Sequence, residues 1–168
     1  MILALILPFI VQVLLITFDE WYFHLKRGLP RWERIGHPLD SFSIILCLLV
    51  PLTLTLSKST LILYVSLSVL SCLFVTKDEF VHKHHCEAAE NWVHALLFLN
   101  HPLLLTSAGL MWSLFSQSPV SFLVDTLPSR AFLYVFLSIQ CGMAILFMLY
   151  QILYWNFIWP RKVGENRD

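Results

Sequence analysis

The chain has 168 residues, of which 58% are hydrophobic and 13% charged, and its eleven basic and eleven acidic residues cancel to a formal net charge of zero. Soluble domains carry about 25% charged residues, so this composition, with a mean hydropathy of +0.73, excludes a soluble globular protein. No basic tract is present, which excludes a nucleic-acid binder. The expected class is all-α: an integral membrane helical bundle of about five spans, forming a single domain over 1–168.

The first apolar run covers about 1–18. It has no basic start and no small-residue cleavage site, so it reads as a retained helix and not as a signal peptide. It ends in Asp19-Glu20, and if the helix continues past Trp21, Glu20 and His24 stack four residues apart. Pro30 suits the first turn of a short interfacial helix, Gly36 its end and Pro38 the start of the next span. His37 then sits at a junction, and the Glu33–His37 spacing need not put both on one face. The second span is expected at 39–57 and the third at 59–77, with a turn near Ser57–Ser59.

Thr76–Pro102 holds five of the seven histidines and four of the eleven acids. Helical spacing stacks Asp78 or Glu79 on His82, and His82 on His85. The chain must reverse here without Gly or Pro, and the break is expected within His84–Glu87. The fourth span, 91–115, continues a stripe of Glu87, Glu90, His94 and His101. Glu90 and His94 can share a metal; His101 lies about 10 Å deeper along the helix axis unless Pro102 kinks it back. The fifth span, 131–158, has no acid, base or histidine from Ala131 to Trp159. It reads as a packing helix beside a lipid-facing groove, closed by the interfacial anchor YWNFIWPRK.

The first two hairpins, over 1–57 and 59–115, look alike. Asp19, Glu20, His24, Glu33 and His37 in the first match Asp78, Glu79, His82, Glu90 and His94 in the second. Such a repeat would bring the two polar ends together, and bundle cores of this kind build two-metal sites from Glu and His on facing helices. It would serve a dimer interface equally well, so an oligomer stays open. Nine of the eleven basic residues, counting Lys77 at its edge, fall on the face holding 19–38, 78–90 and 159–168. The positive-inside rule places that face in the cytoplasm, with the N-terminus outside and the C-terminus inside. The cysteines at Cys47, Cys72, Cys86 and Cys141 have no disulfide or CxxC spacing.

Ionised acids at membrane depth persist when paired, metal-bound or facing water. The histidine and acid surplus therefore points to one or two divalent metal ions held by Glu20, His24, His37, Glu79, His82, His85, Glu90, His94 and His101. Imidazole and carboxylate donors suit iron, zinc or manganese, and the lack of a thiolate set argues against copper(I) or an iron–sulfur cluster. An interfacial site implies a lipid or apolar substrate beside membrane lipid. Two chemistries are open: oxidation of a C–H bond at a di-iron centre, or hydrolysis by a zinc-type centre with Glu87 or Asp78 as base. The rival class is a metal or proton transporter, against which stands the scarcity of ionisable groups in the outer halves of the spans.

The HKHH run at His82–His85, flanked by further histidines, resembles the boxes of the histidine-rich integral-membrane di-iron desaturases and hydroxylases. It is one residue shorter than their HxxHH spacing, and no HxxxH occurs. The resemblance implies iron, oxygen chemistry and a lipid substrate. The Glu79–His82 spacing also resembles the Glu-x-x-His of ferritin-like sites. About 45 residues carry these likenesses.

Overall fold

A computed structural model of the chain describes residues 2–78, 87–116 and 130–159. These residues are all helix and connecting turns, and five helices are long and apolar enough to cross a membrane: α1 Ile2–Arg27, α2 Arg31–Thr53, α3 Lys58–Val75, α4 Ala88–Ser116 and α5 Ala131–Ile158. In lipid a backbone must satisfy its own hydrogen bonds, which favours continuous helices. Leu3, Leu14, Leu63, Leu99 and Leu146 turn outward on these helices, as the surface of a membrane bundle would.

Local chemistry sets the boundaries. Gly28 ends α1 with φ +74°, a conformation that favours glycine, and donates its N–H to the His24 carbonyl at 2.8 Å. Ser57 caps α3 by a reciprocal exchange with Thr60, satisfying donors that a helix start leaves open. This agrees with the turn expected near Ser57–Ser59. The junction expected at Gly36–Pro38 is absent. α2 runs unbroken from Arg31 through Pro38 and Pro51 to Thr53, so Glu33 and His37 occupy one face after all. Spanning helices tolerate such prolines because surrounding groups make good the lost bond.

α4 is the central helix: it touches α1, α2, α3 and α5. α1 packs chiefly on α4, while α2 packs on α5 and α3. The apolar core includes Phe9, Leu48, Tyr64, Leu105, Met111, Trp112 and Leu137. Gly109 of α4 lies under the Tyr64 ring, where a Cβ would approach Cε1 to 2.9 Å. The Tyr64 hydroxyl bonds the Leu105 carbonyl. Asn100 of α4 donates to the Pro8 carbonyl and to Gln12 Oε1, each at 2.8 Å, tying α1 to α4 by polar bonds within apolar surroundings.

Candidate metal centre

The polar ends of α1, α2 and α4 converge. α1 changes geometry where it reaches the cluster: Glu20–His24 form a π-helical turn. A π turn bonds residues five apart, so Asp19 and His24, which an α-helix would splay, both face inward. His24 Nδ1 lies 3.0 Å from Glu20 Oε2 and His24 Nε2 lies 3.2 Å from Asp19 Oδ2. α5 carries a matching π turn at Tyr154–Ile158. It lets Tyr150 and Trp155, also five apart, reach the same oxygen, donating to Glu20 Oε1 at 2.7 and 2.9 Å.

Glu20 therefore spends both oxygens on neighbours. Since a carboxylate accepts, His24 donates Nδ1–H to it, leaving Nε2 as the lone-pair nitrogen. That nitrogen is buried, has no hydrogen-bond partner among the described residues, and faces the Asp19 oxygen. His94 Nε2 approaches the same Asp19 Oδ2 at 3.1 Å, and Glu90 Oε1 lies 3.7 Å from His24 Nε2. Donor atoms of Asp19, His24, Glu90 and His94 all lie within 4.8 Å of one another, and so do those of His24, Glu33 and His37. His24 belongs to both sets.

Arg27 sits beside these groups. Its guanidinium donates to Glu33 Oε2 at 2.8 Å and Glu90 Oε1 at 2.6 Å, joining the ends of α1, α2 and α4. Asp19, Glu20, Glu33 and Glu90 are all buried. With all four ionised and the imidazoles of His24 and His94 neutral, Arg27 leaves three negative charges uncompensated in a buried site, which is costly. A divalent ion between His24 and Asp19 would offset most of that charge. It would also convert a repulsive lone-pair contact into coordination, with the Glu20–His24 bond fixing the imidazole as carboxylates do behind metal-bound histidines. The donor set fits a metal ion.

A cavity of about 580 Å³ adjoins the cluster, within the range of small-molecule sites. Asp19, Glu20, His24, His37 and His94 line one end, and Ile16, Ile44, Leu97, Phe98 and Phe147 line its wall.

The expected residues divide accordingly. The structure brings together His24, Glu90 and His94, with His37 beside them. Glu20 is engaged by Tyr150, Trp155 and His24 instead of standing in either donor set. His101 remains two turns deeper, with Nε2 on Ser71 Oγ at 2.9 Å; α4 is continuous through Pro102 and does not carry it back to the cluster. Glu87 is exposed at the start of α4. Glu79, His82 and His85, the side chain of Asp78 and most of the break expected within His84–Glu87 lie outside the described residues. Asp19 and Glu33 join the donor sets without having been expected there. Trp155, expected as an interfacial anchor, is fully buried, because its indole N–H is needed by Glu20; Trp21, Trp32 and Trp92 remain exposed, as a belt would.

Against protein-family models, curated proteins and solved structures, the chain matches none. The histidine and acid cluster is consistent with a metal site, and no relative ties it to the desaturases and hydroxylases it resembles. The five apolar helices and this cluster are consistent with a metal-dependent membrane protein.

Proposed function

We propose that the protein is an integral-membrane oxidoreductase that binds iron through Asp19, His24, Glu90 and His94 and acts on an apolar molecule lying in the adjoining cavity. One observation carries the reading: His24 Nε2, a lone-pair donor in the neutral imidazole, faces Asp19 Oδ2 at 3.2 Å in a buried site with His94 and Glu90 alongside. Two imidazoles with carboxylates are the donors of oxygen-activating non-haem iron centres, and such a centre supplies the power to attack an unactivated C–H bond. The chain's own residues do the rest. Glu20, held by Tyr150 and Trp155, orients His24. Arg27 holds Glu90 and Glu33 in place. Ile16, Leu97, Phe98 and Phe147 exclude water and seat a hydrocarbon beside the donors. The proposed orientation has the N-terminus outside and the cluster on the cytoplasmic side, from the distribution of Lys and Arg.

Elemental analysis of freshly purified protein tests this. We expect about one iron per chain, lost in Asp19→Asn and in His94→Ala, and oxygenated or newly unsaturated products in lipid extracts of expressing cells. Protein that contains no transition metal and takes up none from ferrous or zinc solutions defeats the reading. Zinc alone, with hydrolytic products, transfers it to hydrolysis.

A further inference from the structure

The deep end of the cavity holds a second set of polar groups that the metal reading leaves unused. The Ser43 hydroxyl donates to the Asp40 carbonyl at 2.8 Å. A hydroxyl has one hydrogen, so Ser43 meets Ser71 Oγ, 2.7 Å away, only as an acceptor. Ser71 therefore spends its hydrogen on Ser43, and its oxygen must accept from His101 Nε2 at 2.9 Å. The three bonds fix the tautomer: Nε2 carries the proton and Nδ1 is a bare acceptor. His101 is 2% exposed, lines the cavity and makes no other hydrogen bond to a described residue. An imidazole acceptor held this way requires a donor from whatever fills the space.

The occupant's chemistry follows. It must offer O–H or N–H at this end, which an alkane, ether or ester cannot do, and an ionised carboxylate accepts only. It must also be uncharged: among the described residues lining the cavity none is Lys or Arg, so an anionic head would be buried without a counter-charge, and Asp40, the acid beside Ser43, already pairs with Lys77, so a cationic head gains no free partner at this end. Beyond that it must be chiefly hydrocarbon, because Ile16, Ile44, Leu97, Phe98 and Phe147 dominate the wall, with Gln12, Ser41 and Gln151 among them. His94 and His101 are seven residues apart, two turns on one helix face and about 10 Å along it.

We infer that the cavity binds a neutral long-chain alcohol, its hydroxyl donating to His101 Nδ1 and its chain extending about 10 Å toward the donor cluster. The assignment deepens the proposed function, on which it relies only for what happens to the chain beside the cluster. His101 is then the residue that selects the head group and sets which carbon lies at the reacting end.

Decanol, decyl methyl ether and decane serve as probes, and thermal stabilisation of the protein in lipid nanodiscs is the readout. One buried hydrogen bond lost should make decanol bind on the order of tenfold tighter than its methyl ether. His101→Phe should abolish that preference and His94→Ala should keep it. Nitrogen NMR of isotope-labelled histidine tests the tautomer without any substitution: we expect Nδ1 unprotonated and shifted by decanol. Equal binding of alcohol and ether by the native protein, or a protonated Nδ1 on His101, overturns the inference. The two proposals fail separately. Protein that takes up neither iron nor zinc yet still prefers decanol refutes the oxidoreductase and keeps the alcohol site, whereas iron-loaded protein indifferent to the hydroxyl does the reverse.

Discussion

Glu20 shows how much at the residue scale depends on a side chain that stands outside both donor sets. Tyr150 and Trp155 hold one of its oxygens and His24 the other. Glu20→Gln replaces an acceptor with an amide that can present N–H to His24 and so releases the tautomer. Metal affinity should fall about 10–100-fold, measured by competition with a chelator, while the fold survives. Arg27→Gln leaves Glu33 and Glu90 buried without their cation. We expect a loss of about 3 kcal/mol in unfolding, read in mixed micelles and partly restored by excess divalent ion. Helical spacing made the Glu90–His94 pair legible in the sequence. It missed Asp19, which reaches His24 only because a π turn replaces the α-helical period. It also underweighted Glu33, because Gly36 and Pro38 read as a helix boundary. Nothing in the sequence marks where a helix changes its period, so Tyr150 read as part of a packing helix and Trp155 as an interfacial anchor.

At the scale of elements, the spans were legible because some twenty apolar residues in a row have few alternatives in lipid. Their mutual packing was not, since hydropathy gives no azimuth. The contacts that set it are small and polar. Gly109 admits the Tyr64 ring; Gly109→Ala places a methyl 2.9 Å from Cε1, and we expect about 1–3 kcal/mol of destabilisation. Asn100→Leu removes two bonds from α4 to α1 and should cost about 1 kcal/mol. Both are measurable by unfolding in mixed micelles, and the Gly109 effect should be relieved by Tyr64→Leu, which removes the obstructing ring.

For the whole molecule, membrane insertion sets direction and the bundle sets convergence. The distribution of basic residues predicts that a tag at the N-terminus is accessible from outside intact cells and one at the C-terminus only after permeabilisation; the opposite pattern reverses the assignment. In the fold, α1 lies against α4 and α2 against α3, so each helix of one half meets a helix of the other. This is why residues from both reach one site, and why a reader of either hairpin alone sees half of it.

Arg27 bridges Glu33 and Glu90 across three helix ends and offsets part of their charge without any ion. A zinc finger cannot fold until its metal arrives; this bundle has its own resident cation for the first stage. The newly inserted chain can then close around an arginine, and under the proposed function metal delivery follows as a later step into a cage already assembled.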